Sequence, residues 1–312
     1  MSHIEIVDVA PRDGLQGLHD FVPTQRKIEF IHKLASAGFQ RMEVTSFVSP
    51  KHVPQMADAA EVVAGLGDLP GLVKMALVPN ALGARRALKS GVRSLIFVIS
   101  MTDAHNMSNV RRTTQASIDD LSALTEELSD TDVELRVGLG TAFHCPFTGL
   151  VDERQVLENI QRILKIRDNI EFAVSDTTGM ATPDHVLSLC KSAISLFGGT
   201  GTWSYHGHDT AGFGLANVLA AIEAGITSFD ASAGGLGGCP FAPGATGNIA
   251  TEDIVHLLHR MGMKTGIDLP TLLEAADMAV EISGAPTGSH ARGLPRERLI
   301  ALEQGAAAAA TA

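Results

Sequence analysis

His206-Gly207-His208 places two imidazoles two residues apart at the end of an apolar run. On a β-strand, residues i and i+2 share a face, so both rings can converge on one ion. A hydrogen-bonded histidine pair closing a strand is the plainer alternative. Asp209 follows on the opposite face and is not read as a ligand. Asp13, in Pro11-Arg12-Asp13-Gly14, supplies a carboxylate just past a second apolar run. Asn248, at the end of residues 244–248 (GATGN), supplies an amide oxygen. Together these form a mixed N/O set without thiolate, leaving about two open positions on an octahedral ion, which suits Mg²⁺, Mn²⁺ or a Zn²⁺-like ion. Taken singly, Asp13 also reads as a helix cap and Asn248 as a turn residue beside glycine.

Arg12, next to that carboxylate, can fork onto a carboxylate or carry charge developing on an enolate oxygen. It can equally pair with Glu43, and the two roles are compatible because a carboxylate behind the arginine fixes its orientation. Cys239 ends a run with four glycines, Gly234, Gly235, Gly237 and Gly238. Glycines make such a loop mobile and let backbone approach closely. A thiol there can exchange a proton over a bound substrate; an inert buried thiol is the commoner fate of cysteine. Cys145, before Pro146, and Cys190, inside an apolar helix, have weaker claims.

These residues need a scaffold that brings them together. Short apolar runs predict strands at 4–9, 41–45, 73–78, 94–99, 133–139, 170–174, 202–206 and 227–230. Amphipathic stretches between them predict helices at 24–37, 58–65, 81–89, 114–128, 152–167, 183–196 and 216–224. Eight strand–helix alternations imply parallel pairing and a closed α/β TIM (β/α)8 barrel. Gly38, Gly91 and Gly225 punctuate three helix ends as left-handed caps. Helices at 251–261 and 269–282 are expected as extra C-terminal cover. Residues 1–300 are expected to form one domain, and 301–312 a low-complexity tail.

In such a barrel the chemistry sits at the C-terminal strand ends. That rule selects Arg12 and Asp13 after strand 1, Glu43 and Ser46 ending strand 2, Asp176 after strand 6, His206 and His208 ending strand 7, and Cys239 and Asn248 after strand 8. Only strand 8 separates strands 1 and 7 in a closed barrel, so Asp13 can reach the histidines' ion.

The chain has 312 residues, 45% of them hydrophobic and 19% charged, the composition of a globular protein. A net charge of −11 argues against a nucleic-acid surface. Three cysteines suggest a reducing compartment rather than a disulfide framework. No leader is apparent and no apolar run reaches the roughly 18 residues that span a membrane. The cytoplasm is the expected location.

The runs VAPRDGLQ (9–16), EVTSFVSPKHVPQMAD (43–58), HGHDT (206–210) and AGGLGGCPFAPGATGNIATED (233–253) together resemble the 3-hydroxy-3-methylglutaryl-CoA lyase family of the DRE-TIM metallolyases. The resemblance extends over about residues 4–282. It implies retro-Claisen cleavage of an acyl-CoA with Mg²⁺ or Mn²⁺, for which Zn²⁺ or Co²⁺ can substitute, in a homodimer serving leucine degradation. It also implies that Asp13, His206, His208 and Asn248 bind the metal, and that Arg12 and Cys239 are catalytic. Glu43 and Asp176 would support the chemistry, while Gln16 and Ser46 would join Arg12 in substrate binding. In the implied reaction the ion lowers the pKa of the substrate's 3-hydroxyl, and Asp13 or water on the ion takes its proton. C2–C3 then breaks, Arg12 stabilises the enolate and Cys239 protonates it.

The chain departs from the family at Gly207, where Cys or Phe is usual, at Ala211-Gly212-Phe213, and at Ser175-Asp176-Thr177. Residues 138–144 lack the tyrosine and first cysteine often found there. Gly207 and Ala211 suggest a larger pocket and a longer 3-substituent on the substrate. The nearest rival is another DRE-TIM enzyme, an aldolase or Claisen-condensing acyltransferase, against which the glycine-rich cysteine loop and the chain length argue. The rival from another class is a silent barrel that binds a CoA ester.

Overall fold

The computed structural model describes residues 3–238, 247–284 and 288–302. Eight parallel strands close into a barrel: β1 (Glu5–Asp8), β2 (Arg41–Ser46), β3 (Val73–Val78), β4 (Ser94–Ser100), β5 (Glu134–Gly140), β6 (Ile170–Asp176), β7 (Gly201–Gly207) and β8 (Ser228–Ala231). β8 lies between β7 and β1, with Asp230 beside His206 in register. The expected TIM barrel is therefore present, with strand ends displaced by a residue or two.

The helices α1 (Thr24–Ser36), α2 (Ala59–Leu66), α3 (Ala81–Lys89), α4 (Asp103–Val110), α5 (Thr114–Glu127), α6 (Glu153–Leu164), α7 (Pro183–Phe197) and α8 (Gly214–Ala224) ring the barrel. α9 (Thr251–Arg260) and α10 (Leu269–Ser283) follow β8. Gly38, Gly91 and Gly225 take positive φ, as read from their positions. α4 escapes sequence reading because DAHNMSNV has no apolar periodicity. Its start is held by Thr102, whose hydroxyl accepts the His105 amide.

The larger apolar core lies outside the barrel sheet, where Phe97, Val137, Phe172, Tyr205 and Phe229 are buried with Phe30, Ile31 and Leu34 of α1, and a small second cluster joins Val7, Met75 and Ile96 inside it. The barrel floor beneath it is a charged cluster. Arg41 pairs with Glu5 at 3.0 Å and with Glu171. Arg136, 2% exposed, faces Glu171 at 3.1 Å and Asp230 at 2.8 Å. Buried charges persist only when paired in this way. Among the described residues no helix is long and apolar enough to cross a membrane.

Candidate metal centre and active site

After β1 the chain tightens into one π-helical turn, Ala10–Gly14, opened by Pro11. The Val9 carbonyl accepts the amides of Arg12 and Asp13 at 3.1 and 2.8 Å. Asp8, fully buried, accepts the Ala10 amide at 2.8 Å and the Ala233 amide at 3.1 Å. One carboxylate thus ties the Arg12–Asp13 turn to the start of the glycine-rich segment.

The turn places Asp13 opposite the two histidines. Asp13, His206 and His208 each offer a donor atom, all within 4.8 Å of one another. His208 Nε2 lies 3.8 Å from Asp13 Oδ2. β7 ends at Gly207, and His208 is held just beyond it by an antiparallel bridge to Asn248. The Asn248 amide donates to Asp13 Oδ2 at 2.7 Å and to the Leu236 carbonyl at 3.0 Å. Asn248 Oδ1 and His208 Nδ1 are buried and have no partner among the described residues. Unpaired buried polar atoms are costly and mark a place where a ligand completes the set. One carboxylate, two imidazoles and an orphaned amide oxygen fit a divalent cation. Gly237 allows this crowding, since a Cβ there would lie 2.4 Å from Asn248 Nδ2.

His206 is oriented from behind, with Nδ1 3.1 Å from Asp230 Oδ2. Holding one ring nitrogen on a carboxylate fixes the tautomer and directs the other nitrogen at the ion. Burial alone would raise the Asp230 carboxyl, yet Arg136 and His206 hold it down to about 2. Burial would likewise lower His206, but Asp230 and Asp13 reverse this and raise it. For Asp13, burial is outweighed by Arg12 and both histidines, which keep it well below the usual carboxylate range.

Arg12 pairs with Asp13 and, at 2.7 Å, with Glu43. Its Nε is buried without a partner among the described residues, so the pinned guanidinium keeps a donor in reserve. Glu43 is fully buried, and burial raises its carboxyl despite Arg12. A cavity of about 1100 Å³ opens above these groups, lined by Arg12, Asp13, Gln16, Glu43, His206, His208 and Asp230.

The HMGL-like family model matches residues 3–279. The chain belongs to the HMGL-like family. It is 39% identical to the (R)-citramalyl-CoA lyase of Chloroflexus aurantiacus, covering 92% of this chain and 93% of that one. It is 37% identical to the hydroxymethylglutaryl-CoA lyase YngG of Bacillus subtilis, covering 92% and 95%. The crystal structure of the B. subtilis HMG-CoA lyase matches with a TM-score of 0.89 at 36% identity, covering 94% and 98%. An HMG-CoA lyase from Acinetobacter baumannii, solved with coenzyme A and 3-methylmalate, matches with a TM-score of 0.86 at 40% identity over 94% and 95%. Membership makes this chain a carbon–carbon lyase of a divalent-metal-dependent family.

Several expected positions fall elsewhere. Asp176 does not line the cavity; its carboxylate accepts the amides of Met180 and Ala181, both at 3.1 Å, and its carbonyl accepts the His208 amide at 3.3 Å. Its hydrogen bonds hold backbone, the amide of His208 included, from outside the cavity wall. Ser46 is buried with an unpartnered hydroxyl and is also absent from the cavity wall. Gly207 faces outward, where a Cβ would lie 2.6 Å from the Tyr205 ring and 2.8 Å from Ile249, so it frees no room near the substrate. Strand alternation decides this, because His206 and His208 take the inward places. Ala211 and Phe213 are exposed and outside the wall. Cys239 lies outside the described residues, while Gly237 and Gly238 line the cavity just before it.

Two site residues went unread, Asp230 and Arg136. Asp230 ends β8, so the strand-end rule that selected His206 also selects it. Arg136 carried a weaker signal, a charge in the middle of a largely apolar strand.

Proposed function

We propose that the chain is a metal-dependent retro-Claisen lyase cleaving 3-hydroxy-3-methylglutaryl-CoA or a closely related 3-hydroxy-acyl-CoA into acetyl-CoA and a 3-oxo acid, acetoacetate for the methyl ester. The convergence of Asp13, His206 and His208 beside Arg12 at one cavity carries this reading. We assign the cation, Mg²⁺ or Mn²⁺, to those three residues and Asn248, and residues 1–300 to one catalytic domain in the cytoplasm.

When bound, the cation polarises the substrate hydroxyl and lowers its pKa. Asp13, held so far below the usual carboxylate range, is a weak base and suits a ligand's role. Once water in the cavity has taken the hydroxyl proton, C3–O becomes a carbonyl and the C2–C3 bonding pair moves onto the thioester as an enolate. Arg12, pinned by Asp13 and Glu43, meets that negative charge without having to reorganise. The Cys239 thiol returns a proton to C2, giving the acyl-CoA. Gln16, on the cavity wall, is placed to contact the acyl group.

The test is product release from a panel that includes 3-hydroxy-3-methylglutaryl-CoA and citramalyl-CoA, assayed with and without chelator and with and without a 2-oxo acid acceptor. Metal-restored cleavage is the expected result. Condensation only in the presence of acceptor would establish a synthase, and no cleavage of any ester by the metal-loaded protein would leave a binding barrel.

A further inference from the structure

The barrel wall across from the metal cluster is left short of side chain at Gly138, Gly140 and Ala173. β4 turns Val98 inward, and Val98 pairs in register with Gly138 of β5, which pairs with Ala173 of β6. Leu77, Ile96 and Gly140 complete the same face of the cavity. Barrel interiors of this kind are ordinarily packed by layers of bulky branched side chains. Here one level holds a glycine and an alanine side by side.

Neither Gly138 nor Gly140 sits at positive φ, so the backbone does not demand glycine. A Cβ on Gly138 would meet only Val98, at 3.3 Å, and one on Gly140 would stand 3.4 Å from Ser100 Oγ. What the two glycines provide is space. The polar groups around that space are committed elsewhere: the Ser175 hydroxyl to the Ala173 carbonyl at 3.0 Å, the Ser100 hydroxyl to His105 Nδ1 at 2.7 Å, and Arg136 to Glu171 and Asp230.

We propose that this recess receives the 3-substituent of the substrate, and that the preferred ester carries there an alkyl chain longer than methyl. The proposal rests on the lyase reading above. The hydroxyl-bearing carbon has four arms. The hydroxyl belongs at Asp13, His206 and His208, and the thioester arm passes Arg12 and leaves by the mouth, where Asn80 and Arg111 line the cavity. A carboxylate arm buried against Leu77, Ile96 and Val98 would lose its hydration with nothing in return. Only an apolar arm gains from that wall. This replaces Gly207 and Ala211 as the origin of a larger pocket.

Burying a methylene contributes about fourfold in affinity, so three added methylenes allow roughly fiftyfold at most. The experiment compares kcat/KM for 3-hydroxy-3-methylglutaryl-CoA and its 3-butyl homologue on the metal-loaded protein and on Gly138→Val and Ala173→Val. The expected result is at least a tenfold preference for the butyl ester, and a tenfold or greater fall of that ratio in each variant. Thermal melting checks that the variants fold, and Ala173→Val carries the test if Gly138→Val does not. A methyl preference, or a ratio unmoved in folded variants, overturns the proposal. If neither ester is cleaved, the lyase reading fails. The Kd ratio of 3-butylglutaryl-CoA to 3-methylglutaryl-CoA, measured by calorimetry, then decides the recess by the same criteria.

Discussion

Replacing Asp230 with asparagine keeps the side chain's shape and removes the charge that orients His206. The 3.1 Å contact to His206 Nδ1 is the hold on that ring seen from the barrel side. Loss of a carboxylate behind a metal-binding histidine typically costs 10–100-fold in metal affinity, about 1.4–2.8 kcal/mol. Stability falls too, but by less than the roughly 3–5 kcal/mol of a fully orphaned buried pair. Arg136 keeps Ser204 at 2.7 Å and Glu171 at 3.1 Å. Glu171→Gln supplies the control, since it also removes an Arg136 partner yet does not touch His206. Isothermal titration calorimetry with Mn²⁺ measures both variants, beside their melting curves. The expected outcome is a lower Tm in both and a weaker Kd only in Asp230→Asn. A folded Asp230→Asn that binds Mn²⁺ within threefold of the parent refutes the orienting role, as does an equal loss in Glu171→Gln.

Cys239→Ala is expected to lower kcat by roughly 10²–10⁴ while leaving the Mn²⁺ Kd unchanged, because a proton donor contributes on that order and the thiol is not in the ligand set; equal losses in both quantities would show a structural role instead. Asp8 and Glu252 give a pH dependence. Burial pushes both carboxyls up to about 7 from ordinary values of 3.8 and 4.5. Between about pH 4 and 7 the folded chain therefore holds protons that the unfolded chain has released, so stability falls as pH rises through that window and levels off above it. Each group contributes about 2 kcal/mol between pH 7 and 5. Melting curves across that range should show Tm rising toward pH 5, with a shallower slope in Glu252→Gln; an unaltered slope in that variant removes Glu252 as a cause.

The strand–helix alternation, the strand-end placement of Arg12, Asp13, Glu43 and the histidine pair, and the family motifs are all local patterns. Period-2 alternation and glycine punctuation lie within short windows of sequence, so the barrel and half of its site are legible there. Pairings across the barrel are not local. Asp230 lies 94 residues from Arg136 and 24 from His206, and only closure of the sheet makes the three a unit. Asn248, 235 residues from Asp13, joins it in the sequence reading only by assuming that closure, and its hydrogen bond to Asp13 is seen only in the fold.

Facing also separates what was legible from what was not. HxH spacing alone shows that two rings share a side, and by the same alternation it turns Gly207 outward, a step that needs the Tyr205 and Ile249 contacts to be seen. Asp176 and Ser46 stand at strand ends by sequence, but the Asp176 carboxylate is spent on backbone amides and Ser46 is buried away from the cavity wall. The residue types and spacings of this chain determine a barrel and a candidate set of metal ligands, and the motifs they form place it in a family of carbon–carbon lyases. Which side chains meet the substrate, and how much room it finds at Gly138, Gly140 and Ala173, is decided by strand register and twist, because these set the direction of every side chain in the closed sheet.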